Sequence, residues 1–195
     1  EDLQYLLYAI TATPGEERTE TVTTATVTEA PCDECLIGEW EATNDSFQAY
    51  MQSTLSASGE DAPIVQSVTG TAYLRFRANG TGRAGYTNLK VVETFISAVA
   101  GSESIITFDG YSAGPYTADG SVILGLAGST NLQITVEIFV GGVSFGTTDF
   151  PIRPEDFPIS TTTPTPYTCG VDTLFTWPPV EGIDIEPVMW IRTTP

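Results

Sequence analysis

Three cysteines, two close pairs of carboxylates and two glycine-framed motifs are the residues whose types and spacing could do chemistry. Cys32 and Cys35 form a Cys-x-x-Cys pair, and Cys169 stands alone far downstream. Such a pair is a redox motif when a helix follows it in a βαβ context, and half a zinc site when four ligands are at hand. Here the strand-like Leu36-Ile37-Gly38-Glu39-Trp40 follows, and the chain holds 3 Cys and no His. The plainer reading is a structural disulfide from Cys169 to Cys35 or to Cys32, closing a long loop. The third thiol is then left for a bond between subunits or stays inert; a local Cys32–Cys35 bridge with Cys169 free is the alternative.

Glu39 and Glu41 share one face of a strand, and Asp184 and Glu186 sit together near the end. A glycosidase needs no His, but its two carboxylates must face each other across a cleft. On one strand face they read as solvated surface. Gly142-Val143-Ser144-Phe145-Gly146 satisfies G-x-S-x-G, and Gly80-Thr81-Gly82-Arg83-Ala84-Gly85 satisfies G-x-G-x-x-G. The first needs a strand-to-helix turn and a His, the second a helix whose N-terminus takes a pyrophosphate. Strand patterns surround both, so both are expected to be glycine-rich hairpins. The absence of His also removes the commonest general base and metal ligand. The expectation is no enzyme, no cofactor and no metal site. Asn44-Asp45-Ser46 and Asn79-Gly80-Thr81 are N-glycosylation sequons where the source glycosylates, so glycans would attach at Asn44 and Asn79.

The elements that must position these residues follow from composition and periodicity. The chain has 195 residues, 41% of them apolar, with 7 basic against 25 acidic side chains and a net charge of −18. That is apolar enough for a core, and too negative for nucleic acid or an anionic membrane surface. No apolar run is long enough to span a bilayer as a helix. A chain that is rich in Thr, acidic, has Lys90 as its sole Lys and opens on Glu1 reads as processed, exported and surface-exposed. Phe47, Tyr50, Met51, Thr54 and Leu55 have helical spacing behind the caps offered by Asn44-Asp45-Ser46. Everything after Pro63 is β-patterned, with hairpin turns at Asn79-Gly80 and Gly141-Gly142. Sequential hairpins with one early helix predict an all-β, antiparallel up-and-down barrel over residues 32–195.

Residues 1–31 read differently. Leu3, Tyr5, Leu7 and their neighbours form an apolar patch, and Thr19–Thr28, with Val22 and Val27, has high β-propensity and no Gly or Pro. No hairpin signal offers this extended, Thr-rich segment a partner nearby, so its backbone donors must pair elsewhere. Strand addition to another subunit is one way to do so.

Gly38-Glu39-Trp40 on the first barrel strand resembles the Gly-x-Trp that opens the lipocalin-like (calycin-type) barrels. Cys35 to Trp40 followed by Asn44 to Tyr50, with Tyr116 to Gly120 and Tyr167-Thr168-Cys169, is similar to lipocalin-like domains of exported bacterial proteins. The resemblance covers about residues 35 to 193. It implies an Arg of the last strand over the Trp, with Trp40 and Arg192 closing the barrel end by a cation–π contact. It also implies a barrel able to hold a small apolar ligand among residues such as Leu74, Phe76, Ile134, Val136 and Phe139.

These readings combine into an expectation of a non-enzymatic structural protein outside the cell. It would be a filament or fibre subunit whose N-terminal strand pairs head-to-tail with the next copy of itself. Residues 1–35 carry eight acids and one base, while Arg75, Arg77, Arg83 and Lys90 cluster on one hairpin. Opposite charges on tail and body would attract between subunits. A small-ligand barrel is the alternative, and a His-free glycosidase ranks last.

Overall fold

A computed structural model describes residues 33–57, 59, 62–95, 101–126, 128–151, 163–178 and 185–194. Cys32, Asp184 and the N-terminal candidates Leu3, Tyr5, Leu7, Val22 and Val27 lie outside the described residues. The elements are β1 (Gly38–Ala42), α1 (Asn44–Ser56), β2 (Ile64–Phe76), β3 (Thr81–Thr94), β4 (Ser102–Ala118), β5 (Val122–Gly125) and β6 (Ser129–Thr130). They continue as β7 (Gln133–Val140), β8 (Val143–Pro151), β9 (Thr165–Cys169), β10 (Thr173–Thr176) and β11 (Val188–Thr194).

Eight of these strands close on themselves. The ring runs β1-β2-β3-β4-β5-β9-β10-β11, and β11 returns to β1 in antiparallel register, with Trp40 beside Arg192 and Ala42 beside Trp190. It is the expected all-β antiparallel barrel with one short helix after the first strand. Alternation sends every second residue inward, so Trp40, Leu74, Phe76, Ile123, Leu174, Val188 and Trp190 are all buried. The two indole N–H groups are satisfied inside, Trp40 donating to Leu36 O at 2.8 Å and Trp190 to Thr176 Oγ1 at 2.9 Å.

The strands are unequal. β2, β3 and β4 run 13, 14 and 17 residues, whereas β1, β5 and β10 have 5, 4 and 4. Only one half of each long strand can therefore join the ring. The other halves (residues 64–69, 89–94 and 102–109) project beyond it and continue into the β7–β8 hairpin, giving a second sheet in the order β2-β3-β4-β7-β8. The glycine and proline content of Asp109–Pro115 predicts a break between two strands, yet β4 is continuous. Gly110, at φ +99°, lets the chain pass within reach of Asn131, whose carbonyl would lie 2.6 Å from any Cβ there. The register slip opposite Tyr86 and Leu89 absorbs the irregularity.

The cap of α1 is Thr43, one residue before the predicted Asn44-Asp45-Ser46, so the helix itself begins at Asn44. Thr43 Oγ1, immediately after β1, accepts the amide of Ser46 at 3.3 Å. Phe47 enters the core edge-on to Tyr86, with ring centroids 6.1 Å apart, and Tyr86 in turn meets Phe108 at 5.3 Å.

Candidate functional site

At one end the barrel is locked by a disulfide and by two sets of contacts made by Arg192, one to a ring and one to backbone carbonyls. Cys35 and Cys169 form a disulfide across a sequence separation of 134. The Arg192 guanidinium stands 4.1 Å above the Trp40 ring. It donates from Nη1 to Ile37 O at 2.6 Å, from Nη2 to Cys35 O at 2.8 Å and from Nε to Val171 O at 2.7 Å. Gly38 has φ +142°, and a Cβ there would sit 2.6 Å from Arg192 Nη1, so the glycine of Gly-x-Trp makes room for the guanidinium. Nearby, the Tyr167 hydroxyl donates to Asp33 Oδ2 at 2.5 Å; burial and the adjacent carboxylate push the tyrosine pKa well above its ordinary value.

The projecting sheet has two edges, treated in opposite ways. On the β2 side, α1 supplies the missing partners. Gln52 Oε1 accepts the Val65 amide at 2.8 Å, and Gln48 Nε2 donates to Val65 O at 3.0 Å. Gln52 Nε2 also donates to Pro63 O at 3.3 Å. On the other side β8 pairs only with β7 among the described residues. Every residue from Val143 to Phe150 is exposed, including Val143 at 64%, Phe145 at 73% and Phe150 at 49%. A closed ring has no edges; the projection creates them, and β8 is the one left open among the described residues.

Of the ligand-lining candidates, Leu74 and Phe76 lie in the barrel core. Ile134 and Val136 stand on β7, outside the ring, and Phe139 falls on the opposite face of that strand. The five do not line one lumen. Inside the ring Phe76 packs on Tyr116 with centroids 4.8 Å apart.

Glu39 and Glu41 both stand on β1 rather than facing each other across a cleft. Glu39 is held by Arg75 at 2.5 Å, Glu41 is exposed, and the backbone of exposed Glu186 donates to Ser53 Oγ at 3.2 Å. Gly80–Gly85 spans the β2–β3 turn and Gly142–Gly146 the β7–β8 turn, with strands on both sides. Among the described residues no group of three or more His, Cys, Asp or Glu side chains could hold a metal ion. Asn44 and Asn79 are exposed; Asn79 Oδ1 accepts the Thr81 hydroxyl at 2.7 Å in the hairpin turn.

Sequence reasoning missed Glu93. It lies on the inner face of β3 with 4% exposure, its Oε2 accepting Ser104 Oγ at 3.1 Å and its Oε1 without a hydrogen-bond partner among the described residues. Burial raises its pKa above the ordinary glutamate value, with the Ser104 bond opposing. Inward alternation at position 93 was the available signal, but an acidic side chain weighs against an inward assignment.

Closed antiparallel strands, one helix after the first of them and an arginine of the last strand over the first-strand tryptophan make an eight-stranded antiparallel β-barrel, an architecture consistent with a calycin-like fold. No known protein family, no curated protein and no solved structure matches the chain.

Proposed function

We propose that this protein is a non-enzymatic structural subunit of the cell exterior. It assembles head-to-tail by adding the Thr19–Thr28 strand of one copy to the open edge of β8 in the next. The observation that carries the reading is the asymmetry of the projecting sheet: one edge is capped by Gln48 and Gln52, the other offers exposed strand backbone flanked by Val143, Phe145 and Phe150. Strand addition satisfies such backbone groups and specifies register through alternate side chains. The tail residues have matching length and β-propensity. A donor and an acceptor at different places on one chain make a heterologous contact, which propagates rather than closes. The extracellular address is supported by the disulfide, which forms and persists in oxidising compartments. It is compatible with the finding that no helix of the described residues is long and apolar enough to cross a membrane.

The test is sedimentation and negative-stain imaging of the full chain beside a variant lacking residues 1–31. Concentration-dependent filaments of the full chain that vanish in the truncated form are expected. A full chain that stays monomeric at high concentration, or a truncated chain that still polymerises, overturns the reading.

A further inference from the structure

We propose that the apolar face of β7 and β8 is a docking surface for residues 3–10 of the next copy of this chain. The inference rests on the assembly reading above and gives it a second contact beside the added strand. Alternation gathers apolar side chains on one face of the projecting sheet. Ile134 stands beside Phe150 and Val136 beside Ile106, with Ile138 two residues further along β7. At its inner margin this face is covered. Phe47 of α1 meets Tyr86, and Tyr86 meets Phe108, the cross-strand partner of Ile134. Towards β8 the cover ends, and Ile138 and Phe150 are 48% and 49% exposed. A contiguous exposed apolar surface marks an interaction site, and this one runs into the open edge of β8.

The chain itself supplies an occupant of fitting chemistry and reach. Leu3, Leu6, Leu7 and Ile10 fall at i, i+3, i+4 and i+7, the spacing of one apolar helix face. α1 already lays such a face on the other part of the sheet. In the donated tail, residues 19–28 match the 9 residues of β8, and residues 11–18 link that strand to the apolar segment. A link of that length reaches up to about 26 Å, against roughly 10 Å between a sheet and a layer packed on it. A strand added to β8 therefore holds residues 3–10 within reach of the face beside it.

The tail leaves the barrel at the end remote from this face. Asp33, the first described residue, accepts from Tyr167 near the Cys35–Cys169 disulfide, at the end where Gly38 pairs with Phe76. The projecting residues 64–69 begin at the opposite end of β2, about 40 Å away. Head-to-tail stacking brings the two ends together. Arg75 and Arg83 also stand at the locked end, and Lys90 lies apart from them opposite Thr69 and Thr107, so the charge attraction expected from sequence is no part of this contact. The competing occupant is the same segment returning along its own copy, and the experiment separates the two.

Full-length chain with p-benzoylphenylalanine in place of Leu7 is assembled as a mixture of isotope-labelled and unlabelled copies, irradiated and digested for mass spectrometry. Cross-links from position 7 to this face of β4, β7 or β8 are expected, with labelled chains joined to unlabelled ones. Cross-links confined within single chains, or made to other parts of the molecule, overturn the proposal. Leu3→Asp/Leu7→Asp is expected to raise the concentration needed for assembly at least about tenfold. Gln4→Asp/Thr12→Asp adds the same charge away from the apolar set and is expected to assemble at the native concentration. Equal behaviour of the two variants also overturns the proposal. Because residues 19–28 and β8 are unchanged throughout, either failure leaves the β8 reading standing. A native chain that does not assemble removes both.

Discussion

The side-chain carbonyl of Gln52 accepts the backbone amide of Val65 at 2.8 Å, so a helix residue stands where the next strand of a sheet would otherwise be. Gln48 completes the arrangement by donating to the carbonyl of the same residue. An edge treated this way cannot template further pairing. β8 has no such cover among the described residues, and the contrast gives the molecule a direction.

Removing the Gln52 side chain leaves the Val65 amide without its acceptor. Gln52→Ala is expected to cost about 1–2 kcal/mol. Urea denaturation measures it, and an unchanged midpoint would show that water replaces the glutamine without penalty.

The disulfide between Cys35 and Cys169 closes a loop long enough that its loss should be felt strongly. In the chain-entropy picture a loop of this length corresponds to about 4–5 kcal/mol. Cys35→Ser/Cys169→Ser should unfold at markedly lower denaturant, and reductant should lower the stability of the native chain but not of this variant.

Arg192 combines a ring contact with three bonds to carbonyls, a geometry that lysine cannot copy. Arg192→Lys is expected to lose about 2–3 kcal/mol. Gly38→Ala, which forces a methyl group against the guanidinium, should destabilise the same end of the barrel. Comparable melting temperatures for Arg192→Lys and the native chain would refute the account.

Glu93 predicts an unusual pH response. Its pKa is raised by burial in the folded chain, so the folded state binds the proton more tightly than the unfolded state does. Its contribution is most favourable at acid pH and is lost as pH rises through the ordinary glutamate value towards the folded one. Glu93→Gln should remove that slope and make the protein more stable near neutrality. Parallel stability–pH curves for the two proteins would contradict this.

Phe145, 73% exposed on β8, carries the last prediction. Phe145→Lys places a charge on the open edge, where lysine discourages pairing. Assembly should fall without loss of melting temperature; a variant that assembles as before would speak against β8 as the acceptor.

Much of the fold is legible because it depends on local signals. The hairpin turns Asn79-Gly80 and Gly141-Gly142, the alternation in β2, β3 and β7, and the helical spacing from Phe47 to Leu55 all report on neighbours in sequence. The continuity of β2 through Gly70 and of β4 through Gly110 escapes such reading, because both glycines look like breakers. Their conformation is imposed by segments they meet elsewhere in the chain: Gly70 approaches Asn88, whose carbonyl leaves no room for a Cβ, and Gly110 approaches Asn131.

The sequence by itself determined the all-β class, the helix after the first strand, the concentration of acid in residues 1–35 and the short set of residues able to lock the barrel end. Only the tertiary structure decided that Cys35 rather than another cysteine pairs with Cys169, that the long strands outrun the ring, and that β8 ends the projecting sheet. The reason is physical. Periodicity records which face of a strand is buried, but which strand lies beside it is set by long-range register. An edge exists only where that register runs out of partners.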